Sequence, residues 1–436
     1  MLFYSTKHQS APVNFETVVM QGLPPDNGLY MPEVIPNRPY EFWDEITDLS
    51  FPEMSYRFAQ LLLQDSLPAD VLKKVVYEAI NFDAPIKELT PRLRCLELFH
   101  GPSHAFKDFG ARFMAQVMSY YVQQSHKKQY ILVATSGDTG GAVAQGFLNT
   151  PGIEVIILYP SGKVSKLQEQ QLTALGHNIS ALEVLGTFDD CQRLVKSAFL
   201  DEELTTRMNL SSANSINLAR LIPQAFYYLN AWAQVKHEQH PIVFSVPSGN
   251  FGNLTAGLLA WKMGVPIQHF IAANNANDVF TQYHKNGAFI PRPSVQTFSN
   301  AMDVGNPSNF QRIMDLFGGN IQEIRNLISA YTFTDEDTLR AIADVHWIYD
   351  YVMCPHTAVA LLGALSFFND NEMSDATCIF LGTAHPAKFL DIVQPTLKIN
   401  IPIPENLAKL MDLPKNAKPM STDFTDFKAH LLSIIK

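Results

Sequence analysis

The chain has 436 residues, about two to three domains' worth, and 47% of them are hydrophobic, enough to bury a sizeable core. Its 32 basic and 42 acidic residues leave a net charge of −10, with no basic run beyond Lys127-Lys128. That balance excludes a disordered chain and argues against a nucleic-acid partner, whose phosphates need a basic surface. The four cysteines, Cys95, Cys191, Cys354 and Cys378, fit neither a zinc spacing nor a disulfide framework. They predict no metal site and a reduced, cytoplasmic setting. No basic-then-apolar leader and no 18-residue apolar run occurs, so no membrane span is expected.

Segment 1–95 is rich in proline and aromatics and reads as an N-terminal extension or cap. Helical patterns fall at Tyr56–Leu63 and Ala69–Ile80. From Leu96 onward, strands and helices alternate. Phe109, Phe113, Val117 and Tyr121 recur every fourth residue, the apolar face of a helix. Short apolar runs predict buried strands at Tyr130–Thr135, Glu154–Tyr159, Pro241–Val246, Gln268–Ala273 and Thr377–Leu381. The proline-rich stretch Ser294–Pro307 reads as a long loop. Thr334 with Asp337 predicts a helix start. The tail from Pro402 reads as two helices packed back on the body. This alternation argues an α/β protein with parallel sheets. Breaks near 95 and 240 divide it into the extension (1–95), a smaller α/β domain (96–240) and a larger one (241–436).

Four stretches carry chemistry. In His100–Gly110, HGPSHAFKDFG, Lys107 is bracketed by Phe106 and Phe109. Apolar surroundings push a lysine toward the neutral amine, which attacks carbonyls to form a Schiff base; a lysine whose stem merely lies along aromatics is the alternative. Thr135–Gly141, TSGDTGG, follows a strand and opens a helix, where free amides and hydroxyls suit a carboxylate or phosphate. An ordinary strand–helix turn remains open there, and Asp138 is expected to accept hydrogen bonds from its own loop. Pro247–Asn253, PSGNFGN, again lies between strand and helix and offers amides to a phosphate, or is a plain tight turn. It is neither a P-loop nor the Gly-x-Gly-x-x-Gly fingerprint. In Leu381–Phe389, LGTAHPAKF, Thr383 presents a hydroxyl at a sheet end, Pro386 starts a helix, and His385 reads as structural. Together the four describe the parts of a pyridoxal phosphate site.

These stretches, with Val155–Lys163, Asn214–Arg220, Ser299–Val304 and the opening Gln21-Gly22-Leu23 and Gly28-Leu29-Tyr30, closely resemble the threonine synthase family, in its branch with a longer N-terminal region. The resemblance spans essentially the whole chain. It implies a tryptophan synthase β-like (fold type II) enzyme, with two open α/β domains, an N-terminal extension domain and pyridoxal 5′-phosphate as cofactor. Carried over by motif, Lys107 is the Schiff-base lysine. Gly249, Asn250, Phe251, Gly252 and Asn253 form the cofactor phosphate loop, and Thr383 partners the pyridine nitrogen. Ser136, Gly137, Asp138 and Thr139 receive the amino-acid end of the substrate. The implied substrate is O-phospho-L-homoserine, converted with water to L-threonine and phosphate; a phospho-lyase giving 2-oxobutyrate and a serine or threonine dehydratase are the alternatives. Lys163 and Arg220 are candidates for the substrate phosphate. Monomer and homodimer both remain open. The chain departs from the family pattern at Ser103 (for Thr), His104 (for an apolar residue), Gly141 (for Ala) and Asn253 (for Asp).

Overall fold

The computed structural model describes residues 1–238, 240–370 and 375–435. Among these, thirteen strands form three sheets. In chain order they are β1 (Phe3–Ser5), β2 (Tyr30–Pro32), β3 (Ile86–Thr90), β4 (Leu93–Glu97), β5 (Gln129–Ala134), β6 (Ile153–Pro160) and β7 (Ile179–Val184). Then come β8 (Asn209–Ser212), β9 (Ile242–Pro247), β10 (His269–Asn274), β11 (Ile328–Thr332), β12 (Thr377–Gly382) and β13 (Ala417–Met420).

Strands β1 and β2 form an antiparallel ribbon. A five-stranded sheet runs β13-β7-β6-β5-β8, all parallel. A six-stranded sheet runs β11-β10-β9-β12-β4-β3, parallel except for the β3–β4 hairpin. Every residue of β5, β9 and β12 is buried. Parallel strands covered by helices on both faces are uniformly apolar, and this is why these three stood out as short hydrophobic runs.

Sheet membership does not follow a linear division at residues 95 and 240. Strand β4 pairs with β12, with Leu93 opposite Cys378 and Glu97 opposite Gly382. Strand β13 from the C-terminal tail pairs with β7, with Ala417 opposite Ala181. The chain starts the larger sheet, crosses to build the smaller, and returns. Parallel pairing needs long crossovers, so strands that are neighbours in space lie far apart in sequence.

The sequence patterns at 56–63 and 69–80 are helices Phe51–Leu63 and Ala69–Ala79. The extension is welded on by Trp43, fully buried, whose Nε1 donates to Met263 O at 3.1 Å, and by Phe58 packed edge-on against Phe226. The predicted helix start at Thr334 is a capping box: Asp337 N donates to Thr334 Oγ1 at 3.1 Å and Thr334 N to Asp337 Oδ2 at 3.0 Å. The tail holds helices Glu405–Met411 and Phe424–Ser433, with β13 between them. Among the described residues no helix is long and apolar enough to cross a membrane.

Arg312 is fully buried and joins three separated segments. Its guanidinium donates to Tyr30 O at 3.1 Å, to Ser215 O at 3.1 Å, to Ile216 O at 2.7 Å and to Asn309 Oδ1 at 2.7 Å. Carbonyls alone satisfy a cation there, so the ordering of β2 and of the Ser215 segment is tied to one side chain.

Candidate active site

Strand β4 ends at Glu97, and loop 98–106 carries the chain to Lys107, the first residue of helix Lys107–Ser125. The loop is stitched to the end of β12. Leu98 N donates to Gly382 O at 2.8 Å, Phe106 N to Thr383 O at 2.9 Å, and His385 N to His104 O at 3.1 Å. Asp108 is buried and accepts from Ser103 N at 2.9 Å, closing the loop; burial pushes its carboxyl up to about 6. These bonds hold Lys107 and Thr383 side by side although 276 positions separate them. His104, where the sequence reading expects an apolar residue, adopts a left-handed backbone at φ 55° and places Nε2 2.8 Å from Asn406 Oδ1. A neighbour from the tail thus satisfies the extra polarity.

A cavity of about 450 Å³ opens at the C-terminal ends of β5, β9 and β12, where open parallel sheets bind ligands. Its wall carries Lys107, Ser136, Asp138, Thr139, Gly249, Asn250, Phe251, Gly252, Asn253 and Thr383. Gly137 sits behind that wall with φ +129°; a Cβ there would fall 2.5 Å from Gln168 Cδ. Only glycine meets both conditions.

The Pro247–Asn253 stretch is built for close approach. Helix Gly252–Lys262 starts behind Phe251, which is left-handed at φ 60°. Its first amides have no intrahelical acceptor. A Cβ on Gly249 would lie 2.6 Å from Met302 Cα, so the loop lies flat against the turn Asn300–Met302. Asn250 holds the loop from both sides: its Nδ2 donates to Ser215 Oγ at 2.6 Å and its Oδ1 accepts from Ser308 N at 2.7 Å. Asn253 Oδ1 accepts from Tyr227 at 2.5 Å and Tyr228 at 2.8 Å. Its Nδ2 is buried without a partner. Free helix-start amides and an orphaned amide donor fit an anionic phosphate.

Charge is arranged around Asp138, which is 3% exposed. The sequence reading has it accept bonds from its own loop. That is corrected: Thr135 Oγ1 takes that role, accepting from Gly137 N and Gly140 N, each at 2.9 Å. Asp138 Oδ1 instead lies 2.8 Å from Lys388 Nζ and accepts from Gln168 Nε2 at 3.0 Å; Oδ2 lies 3.7 Å from Lys107 Nζ. A buried carboxylate with amines in reach turns to them rather than to the backbone amides of its own loop. Burial opposes its charge, yet Lys388, then Lys107, hold the carboxyl well below the usual range. For Lys107 the balance falls the other way. Burial lowers the amine, Asp138 pulls it back, and Lys388 and Arg220 lower it again, leaving it below an ordinary lysine. His356, on the same wall, is pushed down to about 4 by burial and is neutral; its Nε2 accepts from Ala301 N at 3.1 Å.

The two basic candidates part company. Arg220 lies on the central cavity's wall, 3% exposed, with its Nη1 on Ala213 O and its Nε unpartnered. Burial draws the guanidinium down to about 10, still charged at neutral pH. Lys163 lies instead on an adjoining cavity of about 430 Å³, which shares Ser136, Phe188 and Asp303 with the first. Sequence reasoning missed Lys388, Ser215, Met302 and His356. The first three lie inside stretches already singled out; nothing local marks His356. His385 is structural as read, its Nδ1 accepting from Ala387 N at 3.1 Å.

Three family profiles match: "Pyridoxal-phosphate dependent enzyme" over residues 84–383, "Threonine synthase N terminus" over 2–80, and "Threonine synthase, C-terminal" over 357–431. The threonine synthase of Haemophilus influenzae is 43% identical over 435 residues, covering 99% of this chain and 100% of that protein. Among solved structures, threonine synthase from Escherichia coli superposes with a TM-score of 0.93 at 40% identity, covering 99% and 100% of the two chains. The PLP-bound threonine synthase from Brucella melitensis matches with the same TM-score of 0.93 at 31% identity, covering both chains fully. The cofactor is pyridoxal phosphate, and the chain belongs to the threonine synthase family of pyridoxal-phosphate dependent enzymes.

Proposed function

We propose that this chain converts O-phospho-L-homoserine and water to L-threonine and phosphate, with Lys107 as the amine that holds the cofactor and moves the protons. The observation that carries this reading is one cavity joining a desolvated lysine, a helix-start loop with an orphaned amide, and a buried arginine whose Nε lacks an acceptor. Pyridoxal phosphate, when bound, supplies the electron sink for charge developing at the substrate carbon next to the amine.

The chain's own residues divide the remaining work. The amides of Gly249, Asn250, Phe251, Gly252 and Asn253 bind the cofactor phosphate. Thr383 offers a hydroxyl to the pyridine nitrogen, a partner that does not hold a proton there as a carboxylate would. Ser136, Gly137, Asp138 and Thr139 lie at the start of helix Asp138–Phe147 and receive the amino-acid end of the substrate. Arg220 takes the substrate phosphate, since its charge is already desolvated and its Nε lacks an acceptor. The Lys107 amine removes a proton at Cα, then moves further protons as phosphate leaves from Cγ and water adds at Cβ. A lysine held below its usual pKa is suited to both directions of transfer.

The test incubates purified, cofactor-loaded protein with O-phospho-L-homoserine and quantifies phosphate, threonine and 2-oxobutyrate together. Equal phosphate and threonine are expected. Phosphate with 2-oxobutyrate would replace the reading by the phospho-lyase, and no phosphate would reject the substrate.

A further inference from the structure

Lys388 belongs to no part of the reaction just described, yet its ammonium is among the most enclosed groups in the protein. The side chain is 0% exposed. Its Nζ lies 2.8 Å from Asp138 Oδ1 and donates to Ser103 O at 2.9 Å. Its backbone is pinned as well, since Ser165 Oγ donates to Lys388 O at 2.9 Å. Across Asp138, the other carboxylate oxygen lies 3.7 Å from Lys107 Nζ. The three side chains therefore form a buried row of cation, anion and cation, with the reactive amine at one end.

We propose that Lys388 is a positioning residue that pairs with Asp138, so that Lys107 can lose and regain its proton without stranding a bare buried carboxylate. The inference rests on the reading of Lys107 as the cofactor lysine. The physical argument is one of charge counting. A carboxylate in a dry site with a single amine partner holds that amine in its charged form, because deprotonating the amine leaves an uncompensated buried charge. A second cationic partner on the same carboxylate relieves that constraint. Lys388 is suited to be the fixed one. It makes two short contacts and meets no solvent, whereas Lys107 is 15% exposed, sits farther from Asp138 and faces the cavity.

Further titratable groups surround the row. Arg220 faces Lys107 and adds to the cationic side. His356 faces Asp138 and is neutral near pH 7. Asp108 faces Lys388 from the far side of Ser103, and His104 and His385 lie beyond it. None of these contacts Asp138 at ion-pair distance, so Lys388 and Lys107 share it between them.

The test strips the full-length protein of cofactor and follows the growth of the visible band when pyridoxal phosphate is added, from pH 6 to 10. Only the neutral amine reacts, so the rate against pH reports the protonation of Lys107. K388Q is expected to capture cofactor about tenfold more slowly at pH 7, the effect of about one pKa unit, and to converge on the wild type at high pH. K388R keeps the charge and is expected to stay within about twofold of the wild type. D138N is expected to move the profile to lower pH. D138N/K388Q removes the pair as a unit, leaves no bare charge, and is expected to return toward the wild type; it decides the matter if K388Q does not fold. A K388Q profile identical to the wild type, an equal loss at every pH, or a double variant indistinguishable from D138N would overturn the proposal. A wild-type protein that forms no borohydride-fixed adduct on Lys107 would instead overturn the parent reading.

Discussion

Gly249 offers the sharpest test of the proposal that the Pro247–Asn253 turn is the cofactor loop. Its backbone φ is not in the left-handed region, so alanine at this position meets no conformational penalty, only the added methyl carbon. That carbon would lie 2.6 Å from Met302 Cα and 3.2 Å from Ala301 O. Carbon–carbon contacts settle at roughly 3.5–4 Å, so loop and turn must part by about 1 Å. The turn does not yield easily: Ala301 N is bonded to His356 Nε2 at 3.1 Å, and Asp303 accepts from Asn275 at 2.9 Å and Asn277 at 3.1 Å. Overpacking of this kind costs about 1–3 kcal/mol. If the loop moves away from its binding position, the cost falls on cofactor affinity as a Kd weakened by about 5- to 150-fold. If the loop stays, the cost falls on thermal stability. At Gly252 the added carbon would meet Ser215 Cβ at 3.2 Å, a side chain that a few tenths of an ångström relieve. Gly249→Ala should therefore be several-fold worse than Gly252→Ala in cofactor titration by visible absorbance, with melting of the cofactor-free proteins measured alongside. Wild-type affinity and melting for Gly249→Ala, or a reversed order of the two variants, would refute the packing argument.

Other expectations follow from the same geometry. Arg220→Gln should raise KM for O-phospho-L-homoserine by tenfold or more, with a smaller fall in kcat, while Lys163→Ala, on the neighbouring cavity, should change KM less; steady-state kinetics separate the two. His356 titrates at about 4 in the folded protein and near 6.5 when unfolded, so the unfolded chain binds more protons between those values and stability falls as pH drops through them. His356→Gln, which keeps an acceptor for Ala301 N, should flatten that loss in chemical denaturation from pH 7 to 4.5; an unchanged slope would mean that the imidazole is not buried neutral. Thr334→Ala removes the two bonds of the hydroxyl, from Asp337 N and to Asp337 Oδ2, while the Thr334 N–H keeps its own, and should cost about 1 kcal/mol in the same assay, without altering cofactor binding.

The legible parts of the site share one property: each is a strand, a glycine-bearing turn and a helix written consecutively. Thr135–Gly141, Pro247–Asn253 and Leu381–Phe389 reveal themselves because backbone conformation is set by neighbours a few residues away. Strands β8 and β13 escaped notice for the opposite reason. One reads NLSS and the other AKPM, and they become strands only because β5 and β7 offer an edge. His356 likewise acquires a place on the cavity wall only through its helix packing against the sheet.

By itself the sequence determined the α/β alternation, the lysine, the loops, the sheet-end hydroxyl and the family to which they belong. What only the tertiary structure decided is which charges share a site. Lys388 stands beside Asp138, 250 positions away, and Arg220 rather than Lys163 faces Lys107. Crossover connections bring these side chains together, and burial then sets their charges, because desolvation and Coulomb energy depend on distance in space and not along the chain.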